Sequence, residues 1–188
     1  PQIKIRVDYE QAARYGVAVA LLRAKEPARA QAELAPLLQG AAHPMLFGLA
    51  AGIKRANGDQ RGALAVLKQA LASYPNNRAL NYACIDALQQ LGQNREASAL
   101  VDEQLRNYPR DAKLYGLQAK GYAALGKRLL QHQAQAEVYA LQGSLPAAIE
   151  QLQLAQKSGD GDFYQLSSVD ARLRDLRQKL AQEAKEKK

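Results

Sequence analysis

The chain has 188 residues, 47% of them hydrophobic, with two Phe, no Trp, one Cys and a formal net charge of +8. Its longest uninterrupted apolar run, Val17 to Leu22, falls far short of the roughly 20 residues that span a bilayer, which excludes a transmembrane segment on sequence grounds. Abundant Ala, Leu and Gln with few aromatics leave little strand character and predict an all-α chain of one domain.

Residues 1 to 7 alternate Ile3, Ile5 and Val7 with Lys4 and Arg6, a short extended signal with no partner, read with residue 8 as a linker remnant. The start at Pro1 is read as a boundary cut from a longer protein. A first helical hairpin is predicted from about Tyr9 to Leu38, with Lys25-Glu26-Pro27 at its turn and Pro27 opening the second helix. The next two hairpins run from about Met45 to Tyr74, turning at Asn57-Gly58-Asp59, and from about Arg78 to Tyr108, turning at Gly92-Gln93-Asn94. Cys84, on the apolar face of a first helix, is read as a buried core thiol.

The turn glycines Gly58, Gly92 and Gly126 stand 34 residues apart, and Tyr74-Pro75 with Tyr108-Pro109, Ala63 with Ala97, and Leu80 with Leu114 keep the same interval. This period is that of a tetratricopeptide repeat, two antiparallel helices per unit. The glycine takes the left-handed conformation the turn needs. Ala63, Ala97 and Ala148, each five residues after a turn glycine, let the helices cross closely, and the Pro of each Tyr-Pro pair stops the second helix. The expected architecture is a right-handed superhelix of about ten helices in antiparallel pairs, with Leu67, Ala70, Val101 and Leu105 in the core.

After Gly126 the next turn glycine, Gly143, comes only 17 residues later, so an extra half-repeat is predicted near 128–142 within a solenoid spanning 9–157. Ser158-Gly-Asp-Gly-Asp162 then forms a turn. Over 158–188 follows a helix with the stripe Leu166, Val169, Leu173, Leu176 and Leu180, read as a cap on the end of the array, with a dimerising helix as the alternative. Seven basic against three acidic residues from Arg172 to Lys188 place +4 of the net charge in this end, read as a solvated, dipole-matched helix terminus.

No metal-ligand spacing, P-loop, dinucleotide fingerprint or nucleophile elbow occurs, and His43 and His132 read as surface or packing residues. No catalytic residue, metal site or cofactor is therefore assigned to this chain. The expected function is to bind protein or peptide in a groove lined by the first helix of each hairpin. Its candidate residues are Arg55, Tyr82, Asp86, Gln89, Lys113 and Lys120, with Gln69 and Gln104 on the opposite face. Gly48 and Gly52 stand where carboxylate-clamp repeats carry long polar side chains. A helical-repeat RNA binder is the minor alternative, and no nucleic acid is expected, since half of the charge is terminal.

The run Gln133-Ala-Gln-Ala-Glu-Val-Tyr139-Ala-Leu-Gln-Gly143, with Ala148-Ile-Glu-Gln-Leu152, Gly161-Asp-Phe163-Tyr-Gln165 and Asp170-Ala-Arg-Leu173, goes beyond a generic repeat. It resembles the C-terminal end of the bacterial periplasmic zinc metallopeptidases of the β-barrel assembly-enhancing protease (BepA/YfgC) family. The resemblance implies a periplasmic interaction module whose zinc-bearing catalytic domain lies upstream. Its implied partners are the outer-membrane β-barrel assembly machinery, that machinery's substrates and the protease domain itself. A stand-alone adaptor with no attached enzyme is the alternative.

Overall fold

The computed structural model describes residues 9–39 and 42–186, which contain ten α-helices and no strand. The helices are α1 Tyr9–Arg23, α2 Pro27–Leu34, α3 Pro44–Ala56, α4 Gln60–Ser73, α5 Arg78–Gln90, α6 Asn94–Asn107, α7 Ala112–Ala124, α8 Arg128–Leu141, α9 Leu145–Gln156 and α10 Phe163–Glu186. A 3₁₀ turn, Ala35–Leu38, follows α2. The linker reading of residues 1–8 lies outside the described residues.

The chain divides into two compact units between Leu91 and Gly92. In the first, α1 to α5 pack in succession, α1 also touching α3 and α3 also touching α5. In the second, α6 to α10 pack in succession, and α8 also touches α10.

The turns explain the glycine period. Gly58, Gly92, Gly126 and Gly143 all have φ between 70° and 81°. The first hairpin uses Lys25 instead, at φ 60°. The backbone closes identically around the glycine and the lysine: Asp59 N–H donates to Lys54 O, Lys127 to Tyr122, Ser144 to Tyr139, and Glu26 to Leu21, all at 2.9 Å. These bonds satisfy carbonyls that the helix end leaves without an internal partner. Five residues beyond Lys25 stands Ala30, fully buried like Ala97 and Ala148, with Ala63 nearly so. The degenerate first hairpin thus obeys the same rule as the others. After Gly126 the fifth residue is Gln131, half-buried, and small residues give way to polar ones at this step.

A second 34-residue series emerges at the helix starts. His43 Nδ1 accepts from Met45 N–H at 3.2 Å, Asn77 Oδ1 from Leu80 N–H at 3.1 Å, and Asp111 Oδ1 from Lys113 N–H at 3.0 Å. His43 is therefore a helix cap with a defined acceptor, more than a surface histidine. Behind these caps Asn81 Nδ2 donates to Pro75 O at 2.8 Å, and Tyr115 Oη, 34 residues on, donates to Pro109 O at 3.3 Å.

Leu67, Ala70 and Val101 are buried as expected, and Cys84 with them, whereas Leu105 is only half-buried. In the second unit Val169, Leu173 and Leu176 of α10 join Leu129, Ala148 and Leu152 in one core, with Leu166 and Leu180 packed at its edge.

The segment between α9 and α10 does more than turn. Asp160 accepts from the Arg128 and Leu129 backbone amides, the latter at 3.0 Å, and so caps α8 from 31 residues away. Arg128 Nη2 returns a bond to Ser158 O at 3.1 Å. Asp162 Oδ1 accepts from Gln165 N–H at 2.8 Å and Gln165 Oε1 from Asp162 N–H at 3.2 Å, a capping box that opens α10.

The basic end is not uniformly solvated. Arg172 makes two 2.7 Å bonds to the Glu137 carboxylate and also pairs with Asp175, holding α10 to α8. These bonds, led by those to Glu137, raise its pKa further above the ordinary arginine range.

Candidate functional site

In the first unit, α3 and α5 offer one face assembled from glycines on one helix and polar residues on the other. Gly48, Gly52 and Arg55 share a side of α3, since positions four and seven apart on a helix align. A methyl group added at Gly48 would meet nothing within 4 Å. The result is a small depression of about 60 Å³ floored by Gly48, Ala51, Gly52, Ala83 and Ala87, with Arg55 at its rim.

Four of the sequence candidates belong to this unit. Arg55 Nη1 lies 3.4 Å from Asp86 Oδ2, which also accepts from Gln90 Nε2 at 2.6 Å. Tyr82, half-buried, stands one turn before Asp86, accepts from Arg78 Nε at 3.0 Å, and carries the Arg78 guanidinium carbon 5.8 Å from its ring centroid. Gln89 is half-buried on the same helix. A cation–π pair and an ion pair thus hold polar ends upright beside an uncovered apolar floor.

The second unit contributes Lys113 and Lys120, both exposed on α7 and seven residues apart, so on one side of that helix. Between them Gln118 Nε2 donates to Asp102 of α6 at 3.0 Å. Burial, with the Asp102 charge adding to it, raises the Tyr122 phenol above its ordinary pKa. Burial followed by the Glu137 charge does the same at Tyr115. Both tyrosines are therefore neutral hydrogen-bonding groups over the physiological range.

One of the two positions assigned to the opposite face is misplaced. Gln69 is exposed, but Gln104 is buried at 6% exposure, because α6 turns that position inward. The α8 cap from Asp160 and the Glu137–Arg172 pair escaped sequence reading, since each joins residues more than 30 positions apart. Among the described residues no group of three His, Cys, Asp or Glu side chains is placed to hold a metal ion. Nor, among them, is any helix long and apolar enough to cross a membrane.

A family model described as tetratricopeptide repeat matches residues 54–121. MamA of Desulfovibrio magneticus RS-1, from its residue 41 onward, has a similar structure, with a TM-score of 0.64 at 16% identity over 93% of this chain and 98% of that one. A thermophilic tetratricopeptide-repeat protein of Thermus thermophilus superposes with a TM-score of 0.53 at 20% identity, covering 87% of this chain and 98% of its own. The fold is a tetratricopeptide-repeat solenoid.

In sequence, the chain is 33% identical over 178 residues to the β-barrel assembly-enhancing protease of Escherichia coli K12, and equally to that of Shigella flexneri. The match takes in 93% of this chain but 36% of each relative, so the chain spans about a third of their length. A tetratricopeptide-repeat fold implies binding of other proteins and is typically non-catalytic; its likeness to the two solved structures concerns the fold alone.

Proposed function

We propose that this chain is the interaction module of a periplasmic zinc metalloprotease that acts in outer-membrane protein assembly and quality control, and that it holds partner or substrate polypeptide on the first helices of its hairpins. The 33% identity to the protease over nearly the whole chain supports the attachment, with zinc held in the part of such a protein that this chain does not include. The observation that carries the binding reading is the depression over Gly48 and Gly52 beside Tyr82 and the Arg55–Asp86 pair. An apolar side chain of a bound segment would enter the depression, while Arg55, Asp86 and Gln89 pair with its polar groups. In the second unit, Lys113 and Lys120 would offer contacts of their own on α7, and α10 would close the end of that unit.

Photo-crosslinkers at Tyr82 and Lys120 test this reading, with Gln69 as the control, in this chain and in the full-length protein supplied with an unfolded β-barrel substrate. Adducts from Tyr82 and Lys120 should clearly exceed those from Gln69, and Tyr82→Ala should weaken binding by about 2 kcal/mol, as for a buried aromatic anchor. Filling the depression with Gly48→Leu should also weaken binding while the fold stays intact, since that position faces open space. Equal yields from the two faces would reject the assignment. Adducts only to the protease portion, and none to substrate, would make this face a docking surface within one polypeptide.

A further inference from the structure

α10 is 24 residues long and its neighbour α9 only 12. The bonds Gln133–Ser168 and Glu137–Arg172 set α8 and α10 side by side with a constant offset of 35 positions, so Leu141, the last residue of α8, lies level with Leu176. From Arg177 onward α10 stands clear of α8, a projection of about 15 Å at 1.5 Å per residue. Beneath it opens a cleft of about 650 Å³, floored by Leu141, Leu145 and Leu176, with Lys179, Glu183 and Glu186 on the α10 wall and Arg110 on the other.

The charged groups at this cleft fall into two classes. Glu137 and Arg172 neutralise one another at its base, and Lys179 pairs with Asp175. Glu183, Glu186 and Arg110 are exposed and make no ion pair among the described residues. The two glutamates sit three residues apart near the C-terminus of α10, whose macrodipole adds to their negative potential. The volume lies within the roughly 300–1,000 Å³ of ligand pockets.

We propose that this cleft is a second polypeptide-binding site, separate from the first unit's face of α3 and α5, and that it takes a short extended segment in which basic and aliphatic side chains alternate. Alternation follows from an aliphatic floor beside an acidic wall, because successive side chains of an extended segment point in opposite directions. Arg110 donates to the segment's carboxylate or to a backbone carbonyl. The chain as a whole carries +8 and repels a basic peptide, so such binding has to come from the local carboxylates.

The test uses a fluorescein-labelled, N-acetylated peptide of alternating leucine and lysine with a free C-terminus, and a control with glutamate in place of lysine, followed by fluorescence anisotropy on the whole chain. The leucine–lysine peptide should bind saturably and the glutamate peptide should not. Glu183→Gln with Glu186→Gln should weaken binding by about tenfold, the loss of charge-assisted bonds, and the double Lys variant should reverse the preference. Both positions are exposed, so the fold survives these changes, as circular dichroism would verify. Tyr82→Ala should leave this affinity unchanged. Absence of saturable binding, or binding that Glu183→Lys with Glu186→Lys leaves within about twofold, overturns the proposal; loss only in Tyr82→Ala assigns the peptide to the first unit's face instead.

Discussion

The turns at Gly58 and Gly126 have the same backbone geometry and the same place in the 34-residue period, yet the helices after them are started differently. After Gly58 comes Asp59, whose Oδ1 accepts from Gly62 N–H at 2.7 Å and starts α4 from within its own turn. After Gly126 comes Lys127, which offers α8 no side-chain acceptor, and the carboxylate arrives from Asp160 beyond α9. One helix is started by its own sequence and the other by the fold. The second arrangement ties three helices together, since the first-turn amides of α8 find their acceptor on the α9–α10 connection.

The largest expected effect breaks that tie at Gly161. A methyl group there would lie 2.1 Å from Leu129 Cδ1, and Leu129 is fully buried in the second unit's core. Gly161→Ala should cost about 1–3 kcal/mol through overpacking, read by chemical denaturation. Gly48→Ala, into open space in mid-α3, should instead stabilise by about 0.5–1 kcal/mol. If the two alanines behaved alike, the close approach of the connection to α8 would be refuted.

A smaller effect sharpens the comparison from the other side. Lys25 holds the left-handed conformation that glycine holds in the other hairpins, at a cost of roughly 1–2 kcal/mol for a residue with a Cβ. Glycine relieves that strain but loses more chain entropy on folding, so Lys25→Gly should raise stability by no more than about 1 kcal/mol. A loss of stability would show that the Lys25 side chain has a role the turn geometry does not reveal.

These cases mark what could be read from the amino-acid order. Turn glycines, Ala crossings, the apolar stripe of α10 and the helix count are consequences of neighbours within one or two turns, and periodicity exposes them. The face containing Arg55, Tyr82 and Asp86 was legible as a register on successive first helices, but the ion pair within it was not, because 31 residues separate Arg55 from Asp86. Arg172 was counted with a solvated terminus because composition alone cannot show that Glu137, on another helix, awaits it. Gln104 misled for a related reason: a polar residue on a mostly polar helix carries no periodic mark of burial. The cleft under α10 depends on the length difference between helices, which became visible only when the bond Glu137–Arg172 fixed their offset.

The smallest expected effect concerns acid. Hydrogen bonds lower the pKa of both capping carboxylates, the Gly62 amide foremost at Asp59, and at Asp160 the Ser158 hydroxyl foremost, then the Leu129 and Arg128 amides. A carboxyl whose pKa is lower in the folded than in the unfolded chain adds stability that is complete above the unfolded value, near 3.8, and is lost as pH falls through the folded value. Asp59→Asn and Asp160→Asn keep an acceptor oxygen but remove the charge, so each variant should melt slightly below the parent at pH 7. Each should converge with it as the pH drops below about 4. Hydrogen exchange separates the two regions: Asp59→Asn should speed exchange only in the first turn of α4, whereas Asp160→Asn should speed it in the first turns of α8 and α10 together. Exchange confined to α8 would mean that Asp160 caps one helix without coupling it to the next, and the contrast between the two turns would reduce to the distance along the chain from which the carboxylate comes.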